Sequence, residues 1–561
     1  MSVPERDPRS LFKLDWFELL VLVMVACLSM VVLAYLLAIG RIPTGADGVY
    51  PVDQLQYLTW VRQASEHFLI GNEFDMKGDY RVFLHPGFLL SGMLHRVTGL
   101  SLQASYAGLW KPVSVLVVFF GALAYARRLL PPGWPARVGL VLAIFAIPPW
   151  GAFLKLGDLA SPLTIFRLDF FSWETWSGNY LQGYSMTAIA VFSVPLVLLG
   201  VERARAGSNR YLAASAAGAL LVTWLQPWQG AELLFVIVGV EAWRWWRQGE
   251  RADPRLFAVV VAGTVPAAYY WVLSKRDPSW ELAGIANAAH ASPMWHWPLW
   301  LILISILPLA LPAALAFRAR DNDWQNLAVR FYPFAIALVY LLPVGTFPFH
   351  SVQGLTIPLA MLAVQGMTKW RPSRIPRPRA VWVVPAVALL IVPGTIHRTW
   401  SGWDSIQRVA FPWYIESGDQ RALDFLENDP RPGVVFAGEW SGPLIPAETG
   451  REVYLGMTSW TPSYDKRALL VTAVLSGKFG KDKLSSKQIR TFMAAVGARF
   501  IFQPCVAATS NFGMHTTASR RLLDRDLGPL LEERRDFGCA RVYVLRSTPA
   551  SERVGRAVGL G

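Results

Sequence analysis

Apolar residues run along this chain in long blocks, without the regular alternation of a half-buried strand. Eleven blocks predict helices: 16–40, 112–130, 136–150, 184–201, 211–227, 229–246, 255–273, 297–317, 330–346, 351–367 and 379–396. Several fall short of the roughly 20 residues that a full crossing needs. The 136–150 block and the pair 211–246, split around "LQPWQG", are therefore expected to be broken or re-entrant. After 397 the rhythm changes. Polar helices over 417–428, 464–476, 486–496 and 518–534 alternate with the short strands "GVVFAG", "EVYLGM", "ARFIFQ" and "ARVYVLR", the pattern of a small α/β unit. The expected fold is mainly α: a polytopic helical membrane domain of about eleven spans over 1–397, followed by a soluble α/β domain over 398–561.

Composition agrees with that pattern. Of 561 residues, 53% are hydrophobic and 16% charged, with 25 Trp, which is too apolar for a soluble chain of this size. A net charge of +14 raises nucleic acid as a partner, but the arginines sit in short links between apolar blocks. With the N-terminus placed inside, the inner segments carry 21 Lys and Arg in 70 positions and the outer segments 10 in 140. That asymmetry puts the N-terminus in the cytoplasm and the C-terminal domain outside, in a multi-pass protein of the inner or plasma membrane. The first block is too long for a signal-peptide core and lacks a small-residue cleavage site, so it is expected to be retained. Cys505 and Cys539 flank two expected strands. They pair if the compartment oxidises them, or stay apart as buried thiols if the strands are parallel.

The stretch "YPVDQLQYLTWVRQASEHFLIGN", 50–72, reads as an amphipathic helix. Tyr57, Trp60, Val61, Ala64 and Phe68 share one face, and Gln56, Thr59, Arg62, Gln63, Glu66 and His67 the other. Such a helix is expected to lie along the bilayer interface with its rings at headgroup depth. Asp53 opens it. With Pro51 before it and Gln56 three residues on, Asp53 fits a capping box; held near the apolar arc, it equally fits a carboxylate with a chemical task.

The N-terminal span, this acid in the first outer loop, "DQLQYLTWVRQASEHFL", the following "FLHPGFLLSGMLHRVTGLS" and the late "FPFHSVQGLTIPLAMLAVQG" together resemble the GT-C superfamily of integral-membrane glycosyltransferases. The similarity in style is to the bacterial protein mannosyltransferase and aminoarabinose transferase type, and it extends over the spans and the exported C-terminal domain. The family often has two adjacent acids in the first loop; here Gln54 follows Asp53. The resemblance implies transfer of a sugar from a polyprenyl-phosphate donor to a cell-envelope acceptor (glycan, lipid or protein) outside the membrane, with inversion. Inversion needs one carboxylate to take the acceptor proton. Asp53 matches that role by position, with Asp47 in "TGADGVY" as the alternative.

The resemblance also implies a second acid from a later outer loop. "KLGDLASPLTIFRLDFFSWETWSGNYLQGY" offers Asp158, Asp169 and Glu174, with Lys155 and Arg167 beside them. Glu174 is preferred because its segment runs directly into a span. Rings that stack on sugars and cations that neutralise phosphate make this a substrate-binding stretch, or else an interfacial belt with solvated charges. For the leaving phosphate the candidates are His85, Arg167, Lys275, Arg276 and His350, with Gln353 beside the last. Gln226 and Gln229 could hold a sugar but more simply satisfy backbone freed by Pro227.

No metal site is expected, because the eight His are scattered and no ligand spacing appears. A divalent ion bridging Asp53 and a second acid is the lesser alternative. No cofactor beyond the lipid-linked sugar is implied. Competing readings are a transporter or scaffold for polyprenyl-linked glycans and an envelope polysaccharide polymerase or ligase. A transporter should show repeated halves and charged or broken helices at the midplane, and no convincing repeat is visible.

Overall fold

The computed structural model describes residues 13–76, 80–290, 299–318, 322–342, 348–369, 380–408, 412–479, 482–505 and 516–547. Every expected apolar block is helical within these residues; most of the basic link 369–379 lies outside them. Among the described residues, five helices are long and apolar enough to cross a membrane: Trp16–Ala38, Leu102–Leu129, Ser185–Arg205, Pro254–Arg276 and Trp382–Gln407. A sixth is added if Trp134–Phe145 and Trp150–Leu156, bent by 65°, count as one span. The five remaining blocks form helices of 14 to 18 residues. The chain is a mainly helical, multi-pass membrane protein. The expected break at "LQPWQG" is present: one helix ends at Leu225 and the next begins at Pro227.

The chain divides into two compact units, each assembled from separate stretches. The first comprises Met1–Met30, Trp110–Val272 and Asn287–Ser401. Small residues let its helices approach closely: a Cβ on Gly366 would lie 2.1 Å from the Pro312 carbonyl oxygen, and one on Gly121 would lie 2.2 Å from that of Phe192. Arginines of the links expected to face the cytoplasm are paired with acids at helix ends. Arg127 meets Glu18 at 2.6 Å, Arg137 meets Asp15 at 2.7 Å, and Arg205 pairs with Glu241.

The second unit comprises Val31–Leu109, Leu273–Ala286 and Gly402–Gly561, so the expected C-terminal domain packs with the first loop. Its sheet has the order Val434–Phe436, Ala498–Gln503, Ala540–Leu545, Leu531–Phe537. The first pair is parallel and the other two antiparallel. "EVYLGM" contributes one bridge, Val453 to Val435, in place of a strand. The expected helix 518–534 stops at Leu527 and the chain re-emerges as the strand Leu531–Phe537, because Gly528 and Pro529 interrupt it. Since Ala498–Gln503 and Ala540–Leu545 run antiparallel, the end of one lies beside the start of the other, and Cys505 and Cys539 form a disulfide.

The helix Pro51–Glu66 is not an interfacial helix with a wet outer face. Gln54, Gln56, Thr59 and Gln63 are buried along with Leu55, Leu58, Trp60 and Val61, because Pro86–Thr98 and Leu444–Thr449 pack against it. The Arg62 Nε donates to the Ala447 carbonyl (2.9 Å) and Nη2 to that of Glu448 (2.7 Å), with Glu427 2.6 Å away. Gly92 permits the close crossing: a Cβ there would lie 2.5 Å from the Ala64 backbone.

The disulfide closes a loop with a sequence separation of 34. Replacing Cys505 and Cys539 by Ser should lower the stability of this unit by about 4 kcal/mol, read from chemical unfolding in detergent. Glu448, bonded to Gln103, has its carboxyl pushed up to about 7 by burial. Between its unfolded value and about 7 the folded state holds a proton that the unfolded chain releases, so this group costs stability as pH rises through that window. In Glu448→Gln the fall in Tm from pH 5 to pH 7.5 should be smaller than in the wild type.

Candidate active site

In the second unit, Asp53 lies in the first turn of Pro51–Glu66, but Tyr50, not Asp53, is the N-cap residue. The capping-box reading therefore does not hold, since Pro51 starts the helix two residues early. Asp47, the alternative acid, is buried. Its Oδ1 accepts from Gln54 Nε2 at 2.9 Å, while Gln54 Oε1 accepts from the amides of Asp47 (2.9 Å) and Gly48 (2.7 Å). Gln54, where the family often has a second acid, thus holds the preceding turn in place. Asp53 is only half-buried. Asp53, Tyr57 and Trp60 share one helix face, and Tyr57 packs on Phe88 with ring centres 5.4 Å apart.

His85 caps the next helix and is buried, its ring 4.3 Å from that of Phe88. Burial pushes its pKa down to about 3, so it is a neutral ring at physiological pH and offers hydrogen bonds rather than charge. Lys275 and Arg276 are exposed at a helix C-terminus.

In the first unit, the helix Pro162–Thr175 organises a polar cluster. Glu174 is buried; its Oε2 accepts from Gln353 Nε2 at 2.8 Å and lies 3.3 Å from His350 Nδ1. Gln226 Nε2 donates to Gln353 Oε1 (3.2 Å), Gln229 Nε2 donates to the His350 carbonyl (3.0 Å), and Trp228 stands edge-on to His350 with ring centres 4.8 Å apart. The helix break at 226 and the turn Pro348–Val352 are tied together by Gln229, which meets the His350 carbonyl, and by Gln226, which meets the Gln353 side chain.

One turn back on the same helix, Asp169 holds His397 Nε2 at 2.9 and 3.0 Å, and the Arg398 guanidinium lies 4.0 Å over the Trp173 ring. His397 and Arg398 are not among the sequence candidates. The clue was "IHRTW": two basic residues directly after an apolar block, in a helix that runs on to Arg408, beyond the expected boundary at 397. Arg167 is half-buried on this helix, whereas Lys155 and Asp158 are exposed around the turn after Trp150–Leu156 and do not join the cluster. Asp158 takes a left-handed φ of 50°, which suits an Asp in a turn. A narrow apolar cleft of about 30 Å³ lies beside Thr175, lined by Ile147, Phe171, Ile306, Leu359 and Leu390 among others. Among the described residues no three His, Cys, Asp or Glu side chains are grouped to hold a metal ion.

No family model and no curated protein matches this sequence. Solved structures do. The arabinofuranosyltransferase AftD from Mycobacteria aligns over 98% of this chain and 42% of its own, with a TM-score of 0.50 and 13% identity. The fold is a GT-C fold. Other GT-C glycosyltransferases among the neighbours are the oligosaccharyltransferase AglB from Archaeoglobus fulgidus (12% identity, TM-score 0.49, 87% of this chain and 70% of that one) and ArnT from Cupriavidus metallidurans (14%, 0.46, 94% and 96%). This chain spans less than half the length of AftD.

Within the GT-C fold the Glu174 cluster is held by few bonds, so single losses should be felt. Gln353→Leu leaves Glu174 without its 2.8 Å donor and should cost about 1–3 kcal/mol, measured by thermal unfolding in detergent. Gln353→Glu, which sets a second carboxylate against the first, should cost more.

Proposed function

We propose that this protein is an integral-membrane inverting glycosyltransferase that moves a hexosyl or pentosyl group from a polyprenyl-phosphate donor to a cell-envelope acceptor on the extracytoplasmic side. The observation that carries the reading is a half-buried acid, Asp53, in the first turn of a helix it does not cap, within a GT-C fold. The disulfide supports the assignment of the C-terminal domain to an oxidising, extracytoplasmic compartment.

In this mechanism the Asp53 carboxylate takes the proton of the acceptor hydroxyl as its oxygen bonds to the anomeric carbon from the face opposite the phosphate. The bond from that carbon to the phosphate oxygen breaks, and polyprenyl phosphate leaves with the electron pair. Cations lower the cost of the charge that develops on it. Within the first unit, His350, with Glu174 on its Nδ1 side, and Arg398 beside His397 are further candidates for donor binding. Arg167, Lys155, Lys275 and Arg276 remain candidates for donor binding, as do Asp169, through His397, and neutral His85 as a hydrogen-bonding group. Asp158, exposed in its turn, is the weakest of the proposed acids.

The test is transfer of labelled sugar from a panel of polyprenyl-phosphate sugars to envelope glycans, lipids and peptides by the purified protein. Asp53→Asn should reduce turnover by about 100-fold or more with an unchanged Tm. Asp47→Asn, which keeps an acceptor oxygen for Gln54, should retain most activity. Full activity in Asp53→Asn would remove the base assignment; donor binding without turnover on any acceptor would favour a carrier or scaffold.

A further inference from the structure

The helix Pro227–Trp243 of the first unit runs into a π-turn, Arg244–Gln248, which Gly249 closes in the left-handed region at a φ of 67°. Single π-turns are rare and recur at functional sites. This one carries Trp245, Trp246 and Arg247. The two rings are 68% and 66% exposed, and the exposed Arg247 guanidinium lies 4.2 Å over the Trp246 ring and 5.5 Å over that of Trp243.

Two neighbouring links are drawn against this turn. Arg205 pairs with Glu241 and lies 3.6 Å from Glu250, which also pairs with Arg244, and Arg255 Nη2 donates to the Ala204 carbonyl at 3.0 Å. Gln248 Nε2 donates to the Asn322 carbonyl at 3.3 Å. Arg203 and Arg210 both lie over the Tyr211 ring, at 4.8 and 4.9 Å. The acids here serve the protein itself: Glu241 also accepts from Trp324 Nε1 (2.8 Å), Asp253 holds Arg255 (2.7 Å), and Glu202 pairs with Arg128. Over the three links, 202–211, 241–255 and 318–323, the sequence sets nine Arg against six acids, so this corner is positive whichever way the residues outside the described ones pair.

Rings and cations side by side select an amphiphile. A free phosphate would meet the arginines and leave two Trp rings in water. The turn directly continues an apolar helix, which puts those rings at the membrane boundary, the depth that Trp prefers. A glycerophospholipid brings a phosphate for the guanidinium and a glycerol and acyl region for the rings. Headgroup charge narrows the class further: choline or ethanolamine would carry a cation into a positive corner, whereas an anionic headgroup is attracted by each Arg.

We propose that the turn Trp243–Arg251 is a binding site for an anionic glycerophospholipid, with Arg247 on the phosphate and Trp245 and Trp246 against the glycerol and upper acyl chains. The site lies on links expected to face the cytoplasm. It does not depend on the sugar-transfer reading.

The test is native mass spectrometry of the full chain in a neutral detergent, titrated with phosphatidylglycerol and phosphatidylcholine of the same acyl chains. Phosphatidylglycerol should bind saturably and about tenfold more tightly than phosphatidylcholine. Arg247→Gln should weaken phosphatidylglycerol about fivefold, and Arg247→Gln with Trp246→Ala should remove the preference between the two lipids. Both variants should keep the wild-type Tm, because the side chains are exposed. Trp246→Phe should stay within about twofold of the wild type, since a ring remains at the boundary. Arg534→Gln, an exposed arginine of the second unit, should change nothing. Equal affinity for the two lipids in the wild type, or a preference that survives in the folded double variant, would leave only an interfacial belt and overturn the proposal. Displacement of phosphatidylglycerol by an equal concentration of glycerol 1-phosphate or of a short polyglutamate peptide would also overturn it, in favour of a soluble phosphate or an acidic protein.

Discussion

Backbone that leaves its helix among apolar side chains has no water to satisfy its amides and carbonyls, and each unmet group costs several kcal/mol. The first unit is organised around meeting that cost at its helix breaks. Gln229 bonds the turn at His350, and Gln226 reaches Gln353 in the same link. Lys111, buried within a long helix, sends Nζ to the carbonyls of Ser29 (2.7 Å), Leu181 (3.2 Å) and Gln182 (3.1 Å). The residues that close the breaks are those that position Glu174 and His350. A polar cluster can persist there because the broken backbone already demands polar side chains.

The second unit solves a different problem: it holds a short acid-bearing helix rigid. A helix of 16 residues gains most of its stability from packing and little from its own propensity. Its order comes from burial on several sides, from Arg62 binding the end of the Leu444–Thr449 helix, and from Gln54 bracing the turn before it. The C-terminal domain thus serves as a support for the first loop. Rigid support matters for chemistry, because a base must keep its geometry to within a fraction of an ångström.

Much of this was legible in the chain. The apolar blocks fixed the helices, since each is long enough to be hydrophobic all round, and the helices over 417–428, 464–476 and 486–496 fall where their periodicity puts them. Asp53, Glu174, His350 and Gln353 could be nominated because polar residues at the ends of apolar blocks are costly unless used. The Glu174–His350–Gln353 grouping was not legible, since its members are 176 and 179 residues apart and only packing joins them. His397 and Arg398 were passed over because hydropathy falls after 396, which looked like the end of a domain but is the middle of a helix.

What the sequence determined by itself was the local and the additive: membrane class from composition, helix positions from hydrophobic blocks, most strands of the α/β unit from their patterning. Tertiary structure alone decided whatever depends on which faces meet. It turned an expected surface helix into a buried one, because its polar face found protein instead of water. It joined two cysteines by running their strands antiparallel, and brought Trp60, Trp280 and Trp460 together from three separate stretches of the chain. A hydrophobic pattern says that a face must be covered; it carries no information about which segment covers it.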